Sequence, residues 1–308
     1  MILCCGEALI DMIPAPTTNA REGFVPHTGG AVFNTAIALG RLEIPVGMVT
    51  GLSTDLFGDL LTEGLKADRV DTSLVITSDR PTTLAFVRLV DGHATYSFYD
   101  ENSAGRMITV ADMPALPDAA KALYFGGISL ACEPGADAYA ALCDCEADSR
   151  LVMIDPNIRP GFIADAARYR ERLDKMMAVA DIVKVSDEDL AWLVPSPEGL
   201  ADKVAQILDK GVKLVIVTEG KDGATAFRAH GAPLKVAAQK AEVVDTVGAG
   251  DTFNAGILAK LHDLGALDKS AIATLSDAAI HEALAFGAQV AAVTVSRAGA
   301  NPPYRAEL

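Results

Sequence analysis

The run Asp245-Thr246-Val247-Gly248-Ala249-Gly250-Asp251 passes without a break into Thr252-Phe253-Asn254-Ala255-Gly256-Ile257-Leu258. Small residues dominate it, and a carboxylate closes its first half. Gly248 and Gly250 let the backbone turn tightly with its N–H groups facing inward. Phe253, Ile257, Leu258 and Leu261 recur at helical spacing, so a helix is expected to begin here. A glycine-rich turn opening a helix attracts anions, because free backbone donors and the helix dipole both favour negative charge. Asp251 would repel a phosphate held there, so it needs another purpose. Taking the proton of a hydroxyl that attacks phosphorus is one such purpose. Capping the helix is the plainer alternative.

Outward from this stretch the chain alternates. Ala122 to Ser129, Arg150 to Ile154, Asp181 to Val185 and Lys213 to Thr218 are apolar runs suited to parallel strands buried on both faces. Helices are expected between them, near residues 135–147, 165–180, 187–194 and 199–210. Residues 2–13 read as one buried strand ending at Asp11, and Pro14 to Thr28 as a loop-rich piece. Gly29 to Gly40 reads as a diglycine turn feeding a helix, and Val46 to Leu52 as a short strand. Thr225 to Arg228 and Leu234 to Val236 look like a closing antiparallel pair, and Ala271 to Val295 like one long helix. The expected fold is α/β: a three-layer, doubly wound α/β/α sandwich around a mostly parallel sheet. Ligands in such folds bind at the carboxyl ends of the strands. Residues 82–99 differ in style, because two strand-like runs flank Asp91-Gly92 with no crossover helix between them. That pattern predicts an antiparallel hairpin inserted in the alternating chain.

The candidate site residues each follow a strand-like run. Asp11 follows the first. Asn157 and Arg159 follow Ile154, Ser186 to Asp189 follow Val185, and Thr218 to Gly220 follow Val217. Asp251 follows the Val243-Val244 run. One rim would collect them.

Composition sets bounds. The chain has 308 residues, half of them hydrophobic, which suffices for one large α/β unit. Its net charge of −15 argues against nucleic acid, whose phosphates need Lys and Arg. Five cysteines, two of them adjacent, form no disulfide framework and fit a reducing, cytoplasmic setting. The first residues carry Glu7 and Asp11 and no basic segment, so they read as a strand rather than a signal peptide. The five histidines lack metal spacing, and no Gly-x-x-x-x-Gly-Lys-[Ser/Thr] run occurs, which excludes a P-loop kinase.

The pattern Asp-Thr-x-Gly-Ala-Gly-Asp at 245–251 resembles the C-terminal signature of the ribokinase-like (PfkB) carbohydrate kinases. Gly29-Gly30-x-x-x-Asn34 resembles their N-terminal signature, and Asp155-Pro156-Asn157-x-Arg159 resembles their fructokinase-like branch. The resemblance runs from Asp11 to Gly299. It implies a single kinase domain over residues 1–308, with a small β-sheet lid formed by about 12–28 and 82–103, and many members are dimers through that lid. It makes Asp251 the catalytic base, with the Gly248, Ala249 and Gly250 amides holding the transferring phosphoryl group. Asp11, Gly29, Gly30, Asn34 and Arg159 would hold the sugar. Thr218, Gly220 and Gly223 resemble the ATP-phosphate loop, with Lys221 beside it. Ser186 and Asp189 stand where the family often has Asn-x-x-Glu, which assigns Ser186 to ATP and Asp189 to Mg²⁺. A monovalent cation site, K⁺ in kind, occurs near Asp245 and the 293–299 loop in part of the family.

These readings point to an ATP- and Mg²⁺-dependent sugar kinase, cytoplasmic, homodimeric through the lid, and acting on fructose. Asp11 beside the acceptor disfavours an acidic sugar. Kinases of 2-keto-3-deoxygluconate, ribose or a nucleoside are the alternatives within the family. A nucleoside would be stacked by Phe24, Phe33, Tyr96, Phe98 or Tyr99, and an acidic sugar would be met by Arg88, Arg106 or Arg159. A catalytically silent sugar or nucleotide sensor is the alternative outside enzymes.

Overall fold

The computed structural model describes residues 1–19, 21–90 and 93–308, with the backbone alone at Glu22, 88–90 and 93–96. In chain order, β1 (Ile2–Cys5), β2 (Leu9–Pro16) and β3 (Glu22–Gly29) lead into α1 (Ala31–Arg41). Then come β4 (Val46–Val49), β5 (Gly51–Ser53), α2 (Leu56–Ala67), β6 (Ile76–Ser78), β7 (Leu84–Val90) and β8 (His93–Tyr99). The alternating part is β9 (Ala122–Gly126), α3 (Gly135–Glu146), β10 (Leu151–Asp155), α4 (Ala166–Val179), β11 (Ile182–Ser186), α5 (Asp187–Leu193), α6 (Leu200–Leu208) and β12 (Leu214–Thr218). It closes with β13 (Ala224–Phe227), β14 (Leu234–Val236), α7 (Ala249–Asp263), α8 (Lys269–Ala273) and α9 (Asp277–Val295).

Eight strands form the main sheet in the order β14-β13-β12-β11-β10-β9-β1-β4. The pairs from β12 to β4 are parallel, and β13 and β14 close the far edge antiparallel. Successive side chains of a strand face opposite ways, so β1 feeds two cores. Ile2 and Cys4 join one with α1, α7 and α9, while Leu3 and Cys5 join the other with α3, α4 and α6. This is the expected three-layer arrangement. The innermost contact lies between α7 and α9, where a Cβ on Gly256 would stand 2.6 Å from Gly287 Cα, so the two backbones touch. Helix α9 is, among the described residues, long and apolar enough by composition to cross a membrane, and it packs here on α7, β13 and β14.

A second sheet, in the order β3-β2-β7-β8, stands apart from the first. It contains the expected hairpin, β7 against β8, whose turn residues Asp91 and Gly92 lie outside the described residues. Several expectations need correction. Residues 2–13 are two strands, because the chain leaves the main sheet at Cys5 and enters the second sheet at Leu9. The piece expected to be loop-rich is mostly strand. Pro14 and Pro16 are tolerated because β7 pairs with β2 only at Ile10–Met12, leaving those prolines one strand neighbour. The run 46–52 divides between the main sheet and a small β5–β6 sheet. The Val243-Val244 run forms no strand and is exposed, and the expected long last helix breaks between α8 and α9.

Candidate active site

Gly248 takes a left-handed conformation, φ +76°, as the cap of α7, and a Cβ there would stand 2.6 Å from Ala300 Cβ. Conformation and space both require glycine. The first helical bond of α7 runs from Thr252 N–H to Gly248 O. The N–H groups of Gly250 and Asp251 therefore precede any helical acceptor. The Ala249 N–H is turned toward Thr246 O at 3.3 Å.

Asp251 lies in the first turn of α7 and is buried. Its Oδ2 accepts from Asn34 Nδ2 of α1 at 2.9 Å, and its Oδ1 from Asn157 Nδ2 at 3.5 Å. Thr35 Oγ1 adds a bond to the Asp251 carbonyl at 3.2 Å, so α1 and α7 are joined at this point. Burial pushes the Asp251 carboxyl up to about 7, against the pull of the Asn34 bond. A carboxylate with a midpoint near neutrality that faces amide donors is suited to proton acceptance rather than simple capping. The cap position itself is Gly248, which has no side chain to offer the α7 backbone.

The residues expected to hold the sugar come from α1, β2 and the chain after β10. Gly30, φ +106°, caps α1, and any side chain on Gly29 would overlap Asp11 Oδ2. Asp11 belongs to β2 of the second sheet, paired with His27 and Ala85, and does not follow a main-sheet strand as expected. Burial raises its carboxyl to about 6. Asn157 adopts φ +43°, a left-handed conformation uncommon outside glycine and typical of functional sites. Arg159, two residues on, is exposed, donates to Ile158 O at 3.1 Å, and has no ion pair among the described residues.

The residues expected to face the nucleotide lie at or after the ends of β11 and β12. Ser186 caps α5 by accepting from Asp189 N–H at 3.0 Å. Asp189 is buried and accepts from Ile158 N–H at 3.1 Å; burial, then the nearby Asp155, raise its carboxyl. Thr218 Oγ1 donates to Val185 O at 3.4 Å. Gly220 and Gly223 both take positive φ, and Lys221 between them is exposed with no ion pair among the described residues. Asp245 is used differently. Its two oxygens accept from Val247 N–H at 3.0 Å and Gly299 N–H at 2.9 Å, tying the glycine-rich loop to the 297–300 tail.

Several residues escaped the sequence reading. Lys184 of β11 is buried and pairs with Asp155 Oδ2 at 2.9 Å. Asn254 of α7 donates to that same oxygen at 2.7 Å and to Tyr124 Oη at 3.0 Å. Glu7 is buried and accepts from Ala31 N–H at 3.1 Å and Ser129 N–H at 3.3 Å, holding the start of α1. One signal was available: Lys184 is the lone cation inside an apolar strand, and such a residue needs a buried partner. Of the stacking candidates, Phe24 and Tyr99 meet on Phe86 in the second sheet, and the other described ones lie apart from them. Phe33 is in the core, Phe98 packs on Phe162 at 4.2 Å, and Phe24, Phe86 and Tyr99 stack on one another. The Tyr96 side chain lies outside the description. Of the three arginines, Arg106 is paired with Asp100 at 3.1 Å, and the Arg88 side chain is not described.

A buried carboxylate one residue beyond a glycine turn with free N–H groups, at the carboxyl rim of a parallel sheet, has the geometry that phosphoryl transfer to an alcohol requires. The chain belongs to the pfkB family of carbohydrate kinases, whose model matches residues 1–307. It is 52% identical to a fructokinase of Rhizobium leguminosarum bv. trifolii over 91% of this chain and 85% of that protein. It is 30% identical to a fructokinase of Xylella fastidiosa whose crystal structure holds ATP, with a TM-score of 0.88 over 97% of this chain and 93% of that one. An uncharacterised sugar kinase of Pyrococcus horikoshii, in complex with ATP, aligns at 26% identity and a TM-score of 0.83, covering 100% of this chain and 97% of that one.

Proposed function

We propose that this carbohydrate kinase transfers the γ-phosphoryl group of ATP to a primary hydroxyl of D-fructose. The observation that carries the reading is Asp251, buried, raised to about 7, and held by Asn34 from the opposite helix. The sugar hydroxyl gives its proton to Asp251 as its oxygen attacks phosphorus. The Gly250 N–H and the α7 dipole face the charge that builds on the phosphoryl oxygens, with Gly248 setting the turn. Asp11, Gly29, Gly30 and Asn34 hold the sugar hydroxyls, and Arg159 and Lys221 supply positive charge from the rim. Thr218, Gly220 and Gly223 carry the donor phosphates, and Ser186 fixes the strand end beside them.

Mg²⁺, when bound, neutralises charge on the donor phosphates. A phosphate-bound Mg²⁺ needs only one or two protein carboxylates. Asp189 fits that demand, since it is buried beside Asp155 and its raised carboxyl gains from a nearby cation. No group of three His, Cys, Asp or Glu residues that could hold a metal exists among the described residues. Both Asp245 oxygens already hold amides, so K⁺ there would rely on neighbouring carbonyls, and no step is assigned to it.

Fructose is favoured over an acidic sugar because Asp11 and Asp251 are both acidic and Arg106 is already paired. It is favoured over a nucleoside because the described second-sheet aromatics Phe24, Phe86, Phe98 and Tyr99 already pack edge to face on one another or on Phe162. The Rhizobium relative's name points the same way. The second sheet acts as the lid. Its exposed Ile13, Phe24, Val25 and Tyr99 suggest a homodimer through that face, which light scattering reads directly as a mass near twice 32.1 kDa. Five free cysteines, four of them buried, accord with a cytoplasmic location. The deciding test is ATP consumption across fructose, ribose, 2-keto-3-deoxygluconate and adenosine. Fructose is expected to give the highest kcat/KM. A tenfold advantage for another sugar refutes the fructose reading, and no turnover with any of them returns the sensor alternative.

A further inference from the structure

Beneath the phosphate-holding turn lies a buried charge pair that the mechanism has not used. Lys184 projects from β11 with its ammonium 2.9 Å from Asp155 Oδ2, and side-chain exposure is 6% and 1%. A Cβ built on Gly250 would stand 3.3 Å from Lys184 Nζ, so the ammonium underlies the backbone of the turn itself. Asn254, one helical turn beyond Gly250, donates to the same Asp155 oxygen as Lys184, and the Asn157 N–H holds the other. A pair this deep is a poor stabiliser, since desolvation of both charges offsets their attraction. Two apolar residues of the same volume would hold β10 and β11 together as well. What they would lack is a fixed positive charge below the turn.

We propose that Lys184, held by Asp155, is a positioning residue for phosphoryl transfer, placing an oriented ammonium under Gly250 where the charge of the transferring group develops. The pair acts as a dipole. Its positive end sits beneath the turn, and its negative end is tied to Asn254 and to the Asn157 N–H at 3.2 Å. A fixed dipole aimed at developing charge accelerates reaction without reorganising. The same ammonium also acts on Asp251. The groups bearing on that carboxylate are Asn34 from α1, Asn157 after β10, Asp155 of β10, Lys184 of β11 and Glu7 between β1 and β2. Lys184 is the single cation among them. It offsets Asp155 and favours the ionised form of the base. The argument rests on the phosphoryl-transfer reading above.

Three variants test it: Lys184→Met, Asp155→Asn and the double variant. The readouts are kcat and KM with ATP and fructose, the acid limb of kcat/KM, thermal midpoint, and the Asp251 carboxyl titration followed by NMR on carboxyl-labelled protein. Lys184→Met is expected to lower kcat by about 10²-fold, with the fructose KM within about threefold. It should also move the acid limb and the Asp251 titration up by about one pH unit, because Asp155 is left unopposed. The double variant carries no buried charge and should fold even if Lys184→Met does not. There the acid limb should return to the parental position, while kcat stays about tenfold low because the dipole is gone. Asp155→Asn should move the Asp251 titration down. A double variant with kcat within threefold of the parent overturns the proposal, as does a Lys184→Met protein that loses only thermal stability. The carboxyl titration needs no turnover. If no sugar is phosphorylated and the Asp251 midpoint still follows Lys184 and Asp155, the activity reading fails alone; if the midpoint ignores them, the proposal fails.

Discussion

Replacing Asp251 by Asn should kill activity and strengthen the fold, and the second effect carries a pH signature. The parent carboxyl titrates near 3.8 when unfolded and at about 7 in the folded protein, because burial penalises its charged form. Between those values the native state keeps a proton that the unfolded state has released. Stability therefore falls as pH rises from about 4 to about 7, and stays level above that. Three tenfold steps in proton affinity, at 1.36 kcal/mol each, set a ceiling of about 4 kcal/mol, and relaxation around the site reduces it to about 1–3 kcal/mol. Asn keeps the shape and does not titrate. Its carbonyl and amide can still face Asn34 and Asn157 once one of those amides turns over. The ligand-free variant should match the parent at pH 4 and exceed its stability by a few degrees in thermal midpoint at pH 8. Its kcat should fall by about 10²–10⁴-fold with fructose binding retained, the range expected for a lost general base. Paired melts at pH 4, 6 and 8, with fructose binding by calorimetry, are the assay. A stability difference that is flat with pH, or a variant less stable than the parent at pH 8, would refute the buried-carboxylate reasoning. Turnover within a few-fold of the parent would remove Asp251 from the role of base.

Gly248→Ala should cost about 1–2 kcal/mol and at least tenfold in kcat, since φ +76° is unfavourable for Ala and its Cβ meets Ala300; urea melts and initial rates check it. Asn34→Ala removes a bond to the Asp251 carboxylate, so kcat/KM for the sugar should drop about 10–100-fold and its acid limb should move to higher pH, read from a rate–pH profile. Phe162→Ala breaks the one described ring contact between β8 and the loop after Arg159, worth about 0.5–1.5 kcal/mol. The fructose KM should rise up to about tenfold in that variant, with a smaller change in kcat. Gly223→Ala would drive a Cβ into Val236 O and open the β13–β14 hairpin; it should raise the KM for ATP more than that for the sugar.

The parallel sheet was legible because its strands are apolar runs, broken by Lys184 in β11 and by Asp155 and Ser186 at strand ends, and the start of α7 because glycine and periodicity coincide there. The break at Gly6–Ala8 was not legible, since Ile2 to Ile10 is apolar throughout apart from Glu7 and nothing local says that one run serves two sheets. Strand pairing is a long-range fact, so Pro14 and Pro16 read as loop until β7 is known to stop short of them. Val243-Val244 misled in the opposite sense, being β-branched but unpaired. At the site, residues were found where a signature carried them, and the contacts made beneath it, even by Asp155 inside a signature, were not. Lys184, Asp155 and Asn254 are spread over a hundred residues of sequence and meet only when β10, β11 and α7 pack.

The contact of α7 with α9 has a consequence for where this enzyme can move and change. Asp251 begins a helix buried from its first turn through Leu261, and at Gly256 it is pressed backbone to backbone against Gly287. The amides from Phe253 to Ala259 lie in its buried part, so their exchange with deuterium should require loss of the whole α1–α7–α9 layer. The second sheet is the reverse: four strands, two open edges, and exposed apolar faces. If the second sheet is the lid, as proposed, motion during turnover is expected to fall to it, and a change of accepted sugar to be written into its strands; a residue larger than glycine at 256 or 287 would instead press on the start of α7 through packing alone.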